Sequence, residues 1–95
     1  MDAKQNEPFQ DWLDSLAPRM RNIIQARLIR VKNGNFGDCH GVGEGVLEFR
    51  IHVSPGYRVY FGQDGDQVIL LNGGTKNTQD GDIKDAKDYW RDYNA

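Results

Sequence analysis

Two short stretches of the sequence place side chains suited to phosphate chemistry on the polar side of an alternating pattern. The stretches are VLEFRIHV (46–53) and YRVYFG (57–62), and both alternate apolar with polar residues as half-buried β-strands do. Arginine donates a fork of hydrogen bonds to phosphate, and histidine exchanges protons near neutral pH. Tyrosine stacks on a base or donates to phosphate. The set predicts either a phosphodiester site or an ordinary solvated strand face. Its members are Arg50, His52, Arg58 and Tyr60, with Glu48 at the edge.

The turn Ser54-Pro55-Gly56 joins these stretches and sets the strand register that we predict. In that register His52 faces Arg58, and Arg50 faces Tyr60, on one side of the sheet. Directly opposed side chains lie about 4.5–5.5 Å apart, so the four residues would form one cluster. An RNA substrate bound there would supply its own nucleophile, the 2′-hydroxyl, and its cleavage would need no metal ion.

Amphipathic helices are predicted on both sides of the strands. Apolar residues recur at helical spacing over 8–16 and over 19–33, and a proline opens the first of these stretches. These are expected to be two antiparallel helices joined at Ala17-Pro18. A last helix is predicted after Thr78, which can cap it, because apolar residues recur at helical spacing down to Tyr93.

The element order predicts an α+β fold with an antiparallel sheet and helices covering its apolar face. QVILLN (67–72) is nearly all apolar, as expected of a central third strand. Residues 33–45 hold five glycines and little periodicity, which predicts a loop containing Cys39 and His40. The polar segment 1–7 is expected to be either a weak first strand or a disordered tail.

The composition is that of one small globular domain over residues 1–95, with 38% hydrophobic and 27% charged residues. No apolar run is long enough to span a bilayer, and the polar, acidic N-terminus is unlike a signal peptide. A cytoplasmic location without membrane contact is therefore expected. Cys39 cannot build a disulfide framework alone, and Cys39 with His40 lacks the further spaced ligands of a zinc site. We expect neither a metal nor another cofactor.

Charge is distributed unevenly along the chain. The net charge of −2 argues weakly against nucleic-acid binding as a bulk property. Residues 15–37, however, carry five basic residues and no acid. This second helix either contacts RNA backbone phosphates or presents a solvated face. The candidate RNA-binding residues are Arg19, Arg27 and Arg30 on the helix and Tyr60 on the strand.

The motifs PGYRVYF and GGTKNTQDGDI (73–83) together resemble the RelE/ParE superfamily of type II toxins. The HigB-like group, often called addiction-module killer proteins, is the most similar. WLDSL, NFGD and VGEGVLEFRI extend the resemblance over nearly the whole chain from Phe9 onward. The fold that the resemblance implies is a small antiparallel sheet with two N-terminal helices packed on one face and a C-terminal helix.

The resemblance implies a toxin that inhibits translation by cutting mRNA in the ribosomal A site, an endoribonuclease that uses no metal. Arg58 matches the arginine that contacts the scissile phosphate in RelE-like nucleases. Arg50 lies on the preceding strand, where those nucleases place basic residues, and Lys76 follows the Gly-Gly pair, where the family has another functional basic residue. The candidate proton carriers are His52 and Glu48.

The resemblance also implies partners and leaves alternatives open. The expected partners are the ribosome, mRNA and a cognate antitoxin, which in this group is commonly a helix-turn-helix protein. The toxin would contact operator DNA only through that antitoxin. The C-terminal catalytic Tyr or His of several family members has no clear counterpart, because Tyr89 and Tyr93 fall within the predicted last helix. Two alternative functions remain. One is a ParE-like inhibitor of DNA gyrase without nuclease activity, and the other is an inactive homologue that binds only the antitoxin.

Overall fold

The computed structural model describes residues 2–95, which form five strands and three α-helices around one sheet. The sheet order is β1-β5-β4-β3-β2; β2 to β5 run antiparallel, and β1 pairs in parallel with β5. The predicted α+β fold is confirmed. In chain order the elements are β1 (Asp2–Gln5), α1 (Glu7–Ser15), α2 (Pro18–Lys32), β2 (Cys39–Gly43), β3 (Val46–Ile51), β4 (Tyr57–Asp64), β5 (Gln67–Thr75), a short 3-10 turn (Lys76–Thr78) and α3 (Gln79–Asn94).

The N-terminal segment forms the edge strand β1 and leads directly into the first helix. Ala3 packs against the core, and the Asn6 backbone N–H donates to the Leu70 carbonyl at 3.2 Å. The Asn6 side chain then caps α1 by accepting from the Phe9 N–H at 2.8 Å. Of the two alternatives for residues 1–7, the structure therefore has the strand; Met1 lies outside the described residues.

The two N-terminal helices pack on one face of the sheet, as predicted. Phe9 and Leu13 of α1, with Ile24 and Val31 of α2, are buried against apolar side chains of β3, β4 and β5. Trp12 lies so close over Gly73 that a Cβ at this position would be 2.4 Å from the indole ring. Glycine is therefore required where α1 meets the last strand.

The C-terminal helix packs on the opposite face, so the sheet has two helical layers. Ala86 of α3 is buried with apolar residues of β3, β4 and β5, namely Val46, Tyr60, Ile69 and Leu71. Trp90 covers Gly62 in the way that Trp12 covers Gly73, with a Cβ on Gly62 placed 2.5 Å from the ring. Within residues 2–95, none of the helices has the length and apolar character needed to cross a membrane.

The predicted loop over residues 33–45 is wrong in part, because Cys39–Gly43 forms strand β2 at the edge of the sheet. β2 pairs with β3 and places His40 opposite Glu48, with a bulge between Gly41 and Gly43. An exposed edge strand needs little alternation of apolar and polar residues. The glycines of β2 give no such alternation, so hydrophobic periodicity did not predict this strand.

The predicted register between β3 and β4 is also wrong, by two residues. Arg50 lies opposite Arg58, and Glu48 lies opposite Tyr60. β3 ends at Ile51, so the connection to Tyr57 is longer than the three-residue turn that the sequence suggested. Because side chains alternate with a period of two, this slip leaves the residues within the two strands on their predicted faces, whereas His52 lies beyond the end of β3.

Candidate active site

A buried carboxylate lies at the centre of the polar face. Glu48 is 0% exposed. Its Oε1 lies 3.0 Å from Arg50 Nε and 3.1 Å from His40 Nε2. Its Oε2 accepts a hydrogen bond from Gln79 Nε2 at 2.9 Å and lies 3.8 Å from Arg58 Nε. Strands β2, β3 and β4 and the first residue of α3 thus each direct a side chain to one carboxylate.

The strand register explains why a carboxylate is needed there. Arg50 and Arg58 are direct cross-strand partners, and like charges directly opposite each other destabilise a sheet. Glu48 lies on the same face two residues before Arg50 and interacts with both guanidinium groups. Burial alone would raise the pKa of Glu48, but hydrogen bonds from Arg50 and Gln79 outweigh it, so the pKa lies below its usual value.

Two neighbours of Glu48, Arg50 and Tyr60, keep their ordinary charges. The hydrogen bond to Glu48 raises the pKa of Arg50, which therefore stays protonated. Burial, reinforced by the nearby Glu48 carboxylate, raises the pKa of Tyr60 well above its usual range, so the phenol stays neutral. The cluster thus holds one fixed negative charge beside two fixed positive charges.

A cleft of about 330 Å³ opens beside this cluster. Three cationic side chains line it, and none of its lining residues carries a carboxylate. The Lys76 backbone N–H donates to the Gly56 carbonyl at 3.0 Å, which holds the turn after β5 against the connection between β3 and β4. Such a cleft suits a phosphate group. Its lining residues are Arg50, Ile51, His52, Gly56, Tyr57, Arg58 and Lys76.

A larger groove of about 470 Å³ lies elsewhere, between the start of α1 and the second half of α3. Its lining includes Ile69, Leu71 and Tyr89 together with the acids Glu7 and Asp92, and it contains no basic residue. Its size exceeds that of the cationic cleft, but its chemistry does not suit an anionic ligand.

The structure places both histidines differently from the sequence prediction: His40 is in the cluster around Glu48, and His52 is outside it. His52 lies beyond the end of β3 and is 72% exposed, with Nε2 2.7 Å from Asp38 Oδ2. It lines the cleft but does not face Arg58 across the sheet, and its predicted role as a proton carrier stays a prediction. The hydrogen bond from His52 lowers the pKa of Asp38. His40, interpreted from sequence as a loop residue, contacts Glu48 instead.

The candidate RNA-binding residues are dispersed. Arg27 donates from Nη2 to the Phe36 carbonyl at 3.4 Å and lies 5.5 Å from the centre of the Phe49 ring, so it packs a loop against the core. Tyr60 is completely buried and presents no face to a base. Arg19 and Arg30 are exposed on α2, across the sheet from the cleft. Their role in RNA binding stays a prediction.

The part of the chain that the structure describes contains no arrangement of side chains that could bind a metal ion. Across residues 2–95, no group of three or more His, Cys, Asp or Glu side chains is arranged to hold a metal ion. The Glu48 carboxylate contacts the ligand-type side chain of His40, but its oxygens already accept hydrogen bonds from Arg50 and Gln79.

Residues 11–89 match the family described as Phage derived protein Gp49-like (DUF891). The chain belongs to this family. The Gp49-like chain is also 51% identical over 81 residues to an uncharacterized protein of Haemophilus influenzae, an alignment that covers 83% of this chain and 82% of that protein.

Solved structures similar to the Gp49-like chain include chains of RelBE toxin-antitoxin complexes and the isolated RelE toxin. The Mycobacterium tuberculosis RelBE2 toxin-antitoxin complex contains a chain with a TM-score of 0.68 and 14% identity, covering 79% of this chain and 96% of that one. The isolated Escherichia coli RelE toxin gives a TM-score of 0.63 and 15% identity, covering 87% and 95%. The predicted RelE-like fold is thereby confirmed, and the narrower HigB-like grouping stays a prediction.

Proposed function

We propose that this Gp49-like chain is the toxin of a type II toxin-antitoxin system and that it inhibits translation by cutting mRNA on the ribosome without a metal ion. The observation that carries the proposal is the cleft in which Arg50, Arg58 and Lys76 converge with no carboxylate in the lining. The family match and the RelE fold support the same function, because RelE chains are named as toxins.

The geometry supports phosphate binding by the two arginines. Each turns its Nε toward Glu48, Arg50 at 3.0 Å and Arg58 at 3.8 Å. Arg50 Nη2 contacts His40, which leaves Nη1 of Arg50 and both terminal nitrogens of Arg58 to donate to a ligand. Only 10% of the Arg58 side chain is exposed, so its position is set by the protein before a ligand arrives. Fixed donors aimed at a phosphate stabilise the charge that develops during cleavage.

The proposed partners follow from the same comparisons. Similar chains occur in two toxin-antitoxin complexes, RelBE2 of M. tuberculosis and RelBE of E. coli. We propose a cognate antitoxin for this chain too, a helix-turn-helix protein that would reach operator DNA, and a cytoplasmic location where ribosomes are available.

The decisive experiment expresses the chain without its antitoxin and maps mRNA 5′ ends on translating ribosomes. We expect new ends in the wild type, and Arg58→Ala should reduce cleavage by about 100-fold or more, as loss of one oxyanion donor does. Lys84→Ala is the matched control, because it removes one positive charge from an exposed position on α3. Circular dichroism shows whether each variant is folded.

Two other outcomes would replace the proposal. DNA damage and an SOS response with intact mRNA would identify a ParE-like gyrase inhibitor. Tight binding of the antitoxin without growth arrest would identify an inactive homologue. Cleavage that Arg58→Ala leaves unchanged would contradict the assignment of the cleft.

A further inference from the structure

The cleft that holds the cationic side chains also has an apolar side. Arg50 and Arg58 lie on the face of the sheet that carries Glu48. Ile51 and Tyr57 alternate with them and belong to the opposite face, where they contribute to the core beneath α1 and α2. Both faces reach the cleft because β3 ends at Ile51 and β4 begins at Tyr57. The cleft therefore lies across the end of the sheet, with cationic donors on one side and an aliphatic and an aromatic side chain on the other.

Tyr57 is held in place by both its backbone and its side chain. Its backbone pairs with Ile51 on β3 and with Thr75 on β5. Its side chain packs against the apolar core, yet it remains partly exposed and lines the cleft. Because the ring is already ordered, stacking on a flat ligand would cost little side-chain entropy.

The connection before β4 keeps the space beside the Arg58 guanidinium open. Gly56 has a φ of +93°, and a Cβ at this position would lie 3.8 Å from Arg58 Nη1 and 3.9 Å from Lys76 Cβ. The absence of a side chain at Gly56 leaves this space to a ligand. A phosphate held by Arg58 Nη1 would lie beside Gly56, one residue along the chain from Tyr57.

We propose that the cleft binds a nucleotide rather than a phosphate alone and that Tyr57 stacks on its base, an inference that rests on the proposed RNA cleavage for its biological ligand. A nucleotide divides as the cleft does, because its phosphate is anionic, the faces of its base are flat and apolar, and the ribose separates the two. Stacking on aromatic side chains is a general way in which proteins hold unpaired RNA bases. A purine has the larger stacking surface and binds the cleft more tightly than a pyrimidine.

Two other rings fit this role less well. Tyr60, predicted from the sequence to bind RNA, is completely buried. His52 lines the cleft, but 72% of its side chain is exposed and its Nε2 lies 2.7 Å from Asp38 Oδ2. The protein therefore packs around the His52 ring less than around the Tyr57 ring, and Tyr57 is the better stacking surface.

The test titrates the intact chain with three small probes and follows its backbone amide signals by NMR. The probes are adenosine 3′-monophosphate, uridine 3′-monophosphate and ribose 5-phosphate, which has no base. The wild type should bind them in that order of decreasing affinity. Tyr57→Leu should weaken the binding of adenosine 3′-monophosphate by about 5- to 150-fold, the effect of removing one stacked aromatic side chain. Its affinity for ribose 5-phosphate should be unchanged, because the cationic side of the cleft is intact.

Two control variants separate stacking from other effects. Tyr57→Phe keeps the ring and should bind all three probes as the wild type does. Tyr93→Leu removes a tyrosine that is 37% exposed on α3 and lies outside the cleft, so binding should not change. Stacking should also move the ring-proton signals of the bound adenine upfield in the wild type, and Tyr57→Leu should abolish this shift.

Three results would overturn the inference while leaving the proposed RNA cleavage standing, because cleavage on ribosomes is measured separately. The first is equal affinity of the wild type for adenosine 3′-monophosphate and ribose 5-phosphate. The second is an equal loss of affinity for both probes in Tyr57→Leu, which would indicate that Tyr57 only supports the shape of the cleft. The third is loss of the preference for a base in His52→Ala instead of Tyr57→Leu.

The remaining outcomes separate the two proposals. If none of the three probes binds, both the stacking by Tyr57 and the assignment of the cleft to phosphate are wrong. If a base strengthens binding through Tyr57 but the wild type cuts no mRNA, the nucleotide site stands and the cleavage is wrong. Where mRNA is cut, Tyr57→Leu should raise KM with little change in kcat, as expected when binding common to the ground state and the transition state is lost. A lower kcat with an unchanged KM would contradict the role of Tyr57 in substrate binding.

Discussion

The two faces of the sheet differ in how completely helices cover them. On the first face, α1 and α2 bury a cluster of apolar side chains from β3, β4 and β5, with Phe49 and Phe61 among them. On the second face, α3 buries a smaller apolar cluster around Ile69 and Leu71. The rest of that second face carries the charged cluster around Glu48.

The difference shows where a small fold has room for a charged site. α3 begins at Gln79, and its first side chain already contacts Glu48, so the charged cluster lies where the helical cover ends. Charged groups need hydrogen bonds when they are buried, and the open end of this layer supplies them together with access to solvent. The fully covered face gives stability, and the half-covered face gives a cleft.

The largest expected effect is on the covered face. Phe49 is completely buried against Phe61, with ring centres 5.8 Å apart. Phe49→Ala should lower the free energy of unfolding by about 3–5 kcal/mol, the cost of an aromatic-sized cavity. Ile29→Ala is the control because that apolar side chain is exposed on α2. Urea unfolding followed by circular dichroism measures both, and equal losses would contradict the assignment of the core.

The half-covered face should be sensitive to charge rather than to volume. Glu48→Gln keeps the shape but leaves Arg50 and Arg58 without a counter-charge, so we expect a loss of about 1.5–3 kcal/mol, the value of hydrogen bonds to charged groups. Glu44→Gln removes an exposed carboxylate paired with Arg91 and Lys87 and should cost less than about 1 kcal/mol. Similar losses of stability in the two variants would mean that burial of the charged cluster does not strengthen its interactions.

Substitution of the two glycines that tryptophans cover compares how tightly each helical layer packs on its face of the sheet. A Cβ on Gly73 would lie 2.4 Å from Trp12, and one on Gly62 would lie 2.5 Å from Trp90. Each Gly→Ala change should cost about 1–3 kcal/mol through overpacking. Gly41→Ala is the control, since a Cβ there meets nothing within 4 Å. Thermal unfolding measures the stability of the three variants. A loss of stability in only one of the Gly73 and Gly62 variants would show that one helical layer can shift to accommodate the added methyl group and the other cannot.

The smallest expected effect is the pH dependence of the stability that Glu48 contributes. The folded pKa of Glu48 is lower than its usual value of 4.5, so its ionisation stabilises the fold above that value and the contribution disappears as pH falls through the folded pKa. The stability gap between wild type and Glu48→Gln should therefore narrow as pH falls from about 7 to about 3. The raised pKa of Asp82, caused by burial, acts in the opposite direction but is common to both proteins. Urea unfolding across this range measures the gap, and a constant gap would contradict the role of the charge.

Sequence periodicity predicted the elements that bury an apolar side. The two N-terminal helices were predicted within one residue of their observed ends, 8–16 against Glu7–Ser15 and 19–33 against Pro18–Lys32. Periodicity did not predict the edge strand β2, because that strand is rich in glycine. It gave β1 only as one of two alternatives, because among the described side chains of β1 only Ala3 packs against the core. An edge strand is stabilised by backbone pairing, which leaves little trace in side-chain types.

The candidate site divides in the same way. Arg50, Arg58 and Lys76, predicted from the strand alternation and the family motifs, do line one cleft. His40 was missed as a member of the site because the sequence carries no signal that β2 adds to the sheet beside β3. The prediction of His52 depended on a register that the longer connection does not produce.

The sequence by itself determined which residues share a face, because alternation in strands and the 3.6-residue period in helices are local properties of the chain. The tertiary structure alone decided which residues on that face touch. Alternation repeats every two residues, so it cannot distinguish Arg58 opposite His52 from Arg58 opposite Arg50. The connection between the strands, the position of β2 and the starting point of α3 made that choice. Together they brought His40, Arg50, Arg58 and Gln79 around a single buried carboxylate, Glu48.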